Sequence, residues 1–248
     1  MSVVDQIAAW LRDRLGDAGA EGFVFGLSGG VDSAAAAGVA VQAVGAGRTL
    51  AALMPCHSVP EDAALAQSVA DTFGIETVTV DLGDPYDALV SVLPPSEHRA
   101  RHALASANVK PRLRMTTLYY LAQTHGYLVL GSGNKTELMV GYFTKHGDGG
   151  VDLLPLGDLY KTQVWALARE LGVPEAVVER APSAGLWPGQ TDEGEMGITY
   201  EALDRVLMAI EEGDTDHIEP VTLAKVEEMI DRSAHKRTMP PIFKLDEE

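Results

Sequence analysis

Four short apolar runs, at residues 22–27, 49–54, 75–82 and 127–130, are separated by stretches with helical periodicity. Runs that are apolar throughout, rather than at every second residue, suit strands buried on both faces. Alternation with helices then predicts an α/β fold: a doubly wound parallel sheet with helices on both faces. Helices are expected at 32–43 and at 60–73, where Pro60 opens the first turn and Glu61 and Asp62 complement the helix dipole. Residues 86–124 read as helix-rich with breaks at Pro94 and Pro95. Residues 1–15 carry Val4, Ile7, Ala8, Leu11 and Leu15 on one amphipathic stripe. In such sheets ligands bind beyond the carboxyl ends of the strands, which directs attention to the residues after Leu27, Met54, Leu82 and Leu130.

The second half has a different texture. Residues 142–158 are rich in glycine and lack periodicity, and helices are expected at 161–171, from Pro174, at 200–212 and at 221–233. Residues 181–197 hold Pro182, Gly185, Pro188, Gly189, Gly194 and Gly197 and read as a long mobile loop, the usual form of a functional lid. No internal repeat or low-complexity tract divides the chain, so residues 1–248 are taken as one domain.

Composition excludes several classes. Against 19 Lys and Arg stand 36 Asp and Glu, a formal charge of −17, which argues against a nucleic-acid partner and favours solubility. The single cysteine, Cys56, rules out an internal disulfide, a cysteine-rich zinc site and a CxxC pair, and suits a reducing, cytoplasmic setting. No run reaches the roughly 18 apolar residues of a membrane span, so no membrane association is expected.

The run Gly26-Leu27-Ser28-Gly29-Gly30-Val31-Asp32-Ser33 joins the first strand to its helix. Its glycines permit close approach of a ligand, its serines supply hydroxyls, and the helix N-terminus supplies free N–H groups and partial positive charge. This is a cradle for phosphate, but it lacks the lysine of a Walker A loop and the spacing of a dinucleotide fingerprint. Asp32 in such a cradle would repel phosphate unless a cation lay between them, and Mg2+ fits that place. The motif resembles the phosphate loop of the ATP pyrophosphatase (PP-loop) families, which release pyrophosphate and pass AMP to an oxygen of the substrate. By itself it leaves GMP synthetases, tRNA-thiolating enzymes and a nucleotide sensor without turnover open.

The middle of the chain narrows the choice. It contains Asn108-Val109-Lys110-Pro111-Arg112-Leu113-Arg114-Met115, Gly131-Ser132-Gly133-Asn134-Lys135-Thr136-Glu137, Gly141-Tyr142-Phe143-Thr144-Lys145, Gly147-Asp148-Gly149-Gly150-Val151-Asp152 and Pro155-Leu156-Gly157-Asp158-Leu159-Tyr160-Lys161-Thr162. Together with Pro182-Ser183-Ala184-Gly185-Leu186-Trp187 and Gln190-Thr191-Asp192-Glu193, these runs resemble the ammonia-dependent NAD synthetases over nearly the whole chain. The resemblance implies a PP-loop fold of the adenine nucleotide alpha hydrolase type. It implies ATP-dependent amidation of deamido-NAD to NAD with ammonia, through an adenylated intermediate, in a homodimer.

The resemblance also implies roles. ATP is expected on Gly26, Leu27, Ser28, Gly29, Gly30, Val31, Asp32 and Ser33, and on Ser132, Lys161 and Ser183. Deamido-NAD is expected on Arg112, Lys145, Asp152, His235 and Lys236, and Mg2+ on Asp32 and Glu137. The residue types suit these tasks: two hard carboxylates for magnesium, cations for an anionic dinucleotide, and Lys161 for charge growing on pyrophosphate. Lys161 opens a helix, where the dipole disfavours a cation, so a purely structural role is a poor account of it. Glu137 could instead favour a helix start, and Arg112 could pair with a surface carboxylate. Pro111 stands where the family often has Ala, and Ser132 where some relatives have Thr. No protein nucleophile is expected, and the chain has no room for the glutaminase domain of glutamine-dependent relatives. Cys56, Met54, Met115 and Met139 read as packing, Trp10, Trp165 and Trp187 as core or interface, and His98 and His102 as a solvated helix face.

Overall fold

The computed structural model describes residues 1–187 and 189–245. The strand at the middle of the sheet is the first in the chain. β1 (Gly22–Gly26) pairs in parallel with β2 (Thr49–Leu53) on one side and with β4 (Tyr127–Leu130) on the other. β3 (Glu76–Thr79) lies outside β2, giving the order β3-β2-β1-β4. Phe23 and Phe25 of β1 point into one core and Val24 into the other, so this strand is buried on both faces as its apolar run requires. β3 departs from that expectation. Glu76 and Thr79 are exposed, because an edge strand is covered on fewer sides. It is also shorter than the expected 75–82: Val80 and Leu82 still donate backbone hydrogen bonds to Leu53 and Pro55, at 2.9 and 2.8 Å, but lie past the ladder.

One face of the sheet carries α1 (Val3–Ala18), α2 (Val31–Val44) and α3 (Pro60–Phe73). Ser2 and Asp5 close a capping box at the start of α1, and Val4, Ala8, Leu11 and Leu15 are buried. α2 is buried on nearly every side, and its alanines and Gly38 let it lie close to its neighbours. The helix-rich stretch resolves into α4 (Gly83–Val92), α5 (Arg99–Ala107) and α6 (Val109–His125). α6 covers the opposite face, with Leu118, Leu121 and Ala122 against Val24 and Val129.

The chain leaves β1 over one face toward β2 and returns to β4 over the other. The switch point therefore lies between β1 and β4, and their following turns open a crevice there. After β4 come α7 (Lys135–Val140), α8 (Lys161–Glu170) and α9 (Glu175–Val178). Leu153 bridges in parallel to Leu130, adding a short fifth rung. The stretch 181–197 is not loop throughout. It contains α10 (Asp192–Met196), whose start is capped by Thr191 Oγ1 accepting the Gly194 N–H at 3.3 Å. Pro188, one of its expected breakers, lies outside the described residues. α11 (Tyr200–Glu212) and α12 (Pro220–Ser233) pack with α7 in a third apolar cluster around Tyr200, Leu203 and Leu207. No helix among the described residues is long and apolar enough to cross a membrane.

Candidate active site

The glycine turn forms as its composition demands. Gly29 has φ 78°, and a Cβ there would stand 2.6 Å from the Asp62 carbonyl oxygen, so only glycine fits. The Ser28 and Ser33 hydroxyls lie 3.0 Å apart, Ser33 Oγ donates to the Gly30 carbonyl at 2.9 Å, and the Gly30 N–H donates to Ser28 Oγ at 3.3 Å. Gly30 caps α2 without a side chain, which leaves the first-turn N–H groups free for an anion.

Directly beside this turn, three distant residues meet. Lys161, the first residue of α8 and 1 % exposed, donates to Asp32 Oδ2 and, at 3.3 Å, to Glu137 Oε1. Burial works against the ammonium, but Asp32 and Glu137 outweigh it and hold the Lys161 pKa above its usual value. For Glu137 burial prevails over the pull of Lys161 and raises the carboxyl above the ordinary range. Asn134, fully buried in the turn after β4, donates through Nδ2 to Asp32 Oδ1 at 2.8 Å and accepts the Glu137 N–H at 3.0 Å. One amide thus ties the two sides of the switch-point crevice together.

A brace behind Lys161 sets its position. Asp204 of α11 accepts the Thr136 hydroxyl at 2.5 Å and the Thr162 N–H at 2.9 Å, and Thr136 Oγ1 accepts the Lys161 N–H at 2.9 Å. Tyr200 places its ring under the Lys161 ammonium, 4.7 Å from Nζ, and its hydroxyl donates toward Glu137 at 3.2 Å and Asp192 at 3.0 Å. Asp192 in turn accepts the Ala184 N–H at 2.9 Å, and its own N–H donates to the Pro182 carbonyl. The expected lid is therefore attached, through Tyr200, to the carboxylates.

The remaining expected site residues fall into two groups. Ser132 sits half-buried in the β4–α7 turn, and exposed Ser183, whose Oγ accepts the Gly185 N–H at 3.1 Å, is held at the edge of the Asp192 network. Arg112 on α6 donates to the Lys145 carbonyl at 3.3 Å, and Lys145 Nζ donates to the His235 carbonyl at 2.5 Å. Lys236 turns inward, donating to the carbonyls of Gly141 and Phe143 at 2.7 and 2.8 Å, and burial lowers its pKa. These four form one patch. Asp152, outside α6 but beside Tyr119 of that helix, is occupied: its carboxylate accepts the Val129 N–H at 2.8 Å and the Tyr119 hydroxyl at 3.0 Å. Pro111 lies in the first turn of α6, where its missing N–H costs nothing, under Gly147.

Asp32 and Glu137 converge on one point, already chosen by a cation, and Asp192 adds a third carboxylate within the same network. This excess of negative charge fits a divalent ion. No set of three or more His, Cys, Asp or Glu side chains placed to hold a metal ion is found among the described residues. Asn134, Tyr200, Asp192 and Asp204 were not assigned roles from the sequence; Asn134, a residue type that caps helices and stands just before α7, was the readable signal. Cys56 is fully buried and points its thiol at the Leu82 carbonyl, and Met54 is buried too. Trp165 packs edge-on to Tyr200, while Trp10 and Trp187, at 39 % and 41 % exposed, lie outside the core of the chain. His98 is exposed and His102 half-buried, at the start of α5.

A parallel sheet with a glycine turn at its switch point and a carboxylate–ammonium cluster beside it defines a phosphate-handling α/β enzyme. The comparisons specify which. The family model described as NAD synthase matches residues 3–240, and the chain belongs to that family. An NH(3)-dependent NAD(+) synthetase from Carboxydothermus hydrogenoformans is 48% identical, over 96% of this chain and 95% of that one. The structure of NMN synthetase from Francisella tularensis superposes with a TM-score of 0.87 at 36% identity, covering 98% of each chain. An NH3-dependent NAD synthetase from Campylobacter jejuni, solved with nitrate ion, gives 0.83 at 25% identity, covering 98% of this chain and 100% of that one.

Proposed function

We propose that this chain makes NAD from deamido-NAD, ATP and ammonia. The observation that carries the reading is the Asp32–Lys161–Glu137 cluster beside the glycine turn, in a chain of the NAD synthase family. A carboxylate is a poor acyl donor. One oxygen of the nicotinate carboxylate attacks the α-phosphorus of ATP as the bond to the bridging oxygen of pyrophosphate breaks. Ammonia then attacks the activated carbonyl, AMP leaves with the bonding pair, and a proton is released. The turn 26–33 cradles the ATP phosphates, with Ser132 and Ser183 at its margins. Asp32 and Glu137 would hold Mg2+, which would supply charge neutralisation for the phosphates there. Lys161, fixed by the Asp204 brace, faces charge growing on the leaving pyrophosphate. Arg112, Lys145, His235, Lys236 and Asp152 line the deamido-NAD side. No side chain serves as a nucleophile, so catalysis is positioning and charge stabilisation.

Residues 1–248 act as a single NAD synthetase unit, and ammonia rather than glutamine supplies the nitrogen. Cys56, buried against Leu82, is unsuited to attack glutamine. The protein is a cytoplasmic homodimer that binds neither nucleic acid nor membrane. The exposed apolar side chains Leu89 and Val92 on α4, Leu104 on α5 and Tyr120 on α6 support a second copy docking on these helices. A monomer by light scattering, under conditions of full activity, would refute the dimer.

The NMN synthetase relative favours a second substrate, nicotinic acid mononucleotide, which carries the same carboxylate. Mass spectrometry of reactions with ATP and Mg2+, either nicotinate substrate, and either ammonium or glutamine separates the cases. NAD and AMP from deamido-NAD with ammonium alone is the expected result. Product from the mononucleotide alone would transfer the activity to the second reading, and no amide from either would overturn both.

A further inference from the structure

α6 carries two cations that the reaction described above does not use. Lys110 and Arg114 stand one helical turn apart, and with Leu118 they form a stripe at i, i+4 and i+8. Leu118 lies over Gly26, whose Cβ, if present, would come 3.9 Å from Leu118 Cδ1 and 3.1 Å from Met54 Cε. The stripe therefore runs from the end of β1 out beyond the carboxyl end of β2. The neighbouring stripe of the same helix, Pro111 and Met115, packs under Gly147 and Gly150. The two cations thus sit between the glycine turn on one side and the 144–150 loop, with Lys145, on the other.

Both are paired only with carbonyls. Lys110, 7 % exposed, donates through Nζ to the Leu186 carbonyl at 2.8 Å and lies 5.5 Å from the centre of the Tyr86 ring. Arg114, half-buried, donates through Nε to the Met54 carbonyl at 3.2 Å. Its other guanidinium nitrogens have no protein acceptor, and neither residue has a carboxylate at ion-pair distance, among the described residues. Lys135 and Lys161, by contrast, each have two carboxylates at ion-pair distance. Burial depresses the pKa of each cation. Asp87 faces Lys110, and Asp62 and Asp148 face Arg114, but only from beyond ion-pair distance, and two neighbouring charges partly withdrawn from water are unfavourable unless an anion completes them.

We propose that Arg114, with Lys110 one turn before it, is an oxyanion-binding pair for the substrates, set at the junction of the ATP and dinucleotide sides. This rests on the function proposed above. The Met54 carbonyl orients the guanidinium and leaves its terminal nitrogens for an oxyanion in the paired geometry that arginine favours. A phosphate of ATP and the carboxylate or phosphates of deamido-NAD share that chemistry.

Arg114→Gln can still donate to Met54 but has no charge. Its affinities for ATP–Mg2+ and for deamido-NAD are measured separately by calorimetry, with kcat and KM for NAD formation and the thermal midpoint as a check on folding. At least a tenfold loss is expected, with part of it restored by Arg114→Lys. Loss in the ATP arm identifies a phosphate of ATP, and loss in the deamido-NAD arm identifies that substrate's anion. A fall in kcat alone, rescued by Lys, assigns the contact to the transition state. Unchanged affinities, kcat and KM, in a wild type that makes NAD, overturn the proposal. If Arg114→Gln does not fold, Lys110→Met, which keeps most of the apolar stem without the charge, is read in the same way. A wild type that makes no NAD condemns the function instead.

Discussion

Replacing Lys161 by methionine tests the site's electrostatics without depending on turnover. In the wild type the ammonium lies between two carboxylates, which retain 18% and 16% side-chain exposure. Removing one partner of a buried ion pair costs about 3–5 kcal/mol, because the other charge is left uncompensated. The partial exposure of Asp32 and Glu137 places this case near about 3 kcal/mol. In a chain of 248 residues that corresponds to a fall in thermal midpoint of roughly 6–12 °C. Methionine fills similar volume, so the loss is electrostatic rather than a cavity. The decisive comparison is melting in EDTA and again in excess Mg2+. With the ammonium gone, the Mg2+ proposed for Asp32 and Glu137 would have no competitor there. The midpoint of the variant should therefore rise more with Mg2+ than that of the wild type, a gain of about 2.7 kcal/mol at a hundred times the dissociation constant. A variant that melts within about 2 °C of the wild type in EDTA, less than a kcal/mol, or that shows no larger response to Mg2+, would refute the reasoning.

Three further outcomes are expected. Asp32→Asn should abolish Mg2+-dependent turnover while leaving the circular dichroism spectrum intact; unchanged activity would remove the metal role. Gly29→Ala should cost about 1–2 kcal/mol for its positive φ alone, with more from the collision with the Asp62 carbonyl; denaturant melts and ATP titration check it, and wild-type values for both would contradict the geometry. Cys56 should resist a thiol reagent in the native state and react on unfolding, since burial both shields it and raises its pKa; fast native labelling would show the thiol to be accessible.

The central strands were readable because a run buried on both faces needs no partner information to stand out. β3 was overextended because the apolar residues Val80 and Leu82 follow it without joining its ladder. α10 was hidden since five residues contain too little periodicity, although Thr191, Asp192 and Glu193 before Gly197 are the marks of a capped turn. Within the site, Asp32, Glu137 and Lys161 belong to local motifs and could be picked out singly. That they share one ammonium could not, because the contacts span 129 and 24 residues. Tyr200 and Asp192 were illegible for the same reason: nothing in the sequence of α11 marks a tyrosine that reaches back to Glu137.

The crowding around α2 has one more consequence. The helix that presents the glycine turn is made mainly of alanine and valine, and at Gly38 an added carbon would already lie 3.1 Å from Leu171 and from Phe73. Side chains this small leave almost nothing to truncate, so random substitution along the helix mostly adds volume to a space that cannot give. A mutational scan of α2 should be lopsided, quiet toward smaller residues and severe toward larger ones. Natural drift in this part of the chain is then held in check from one direction only.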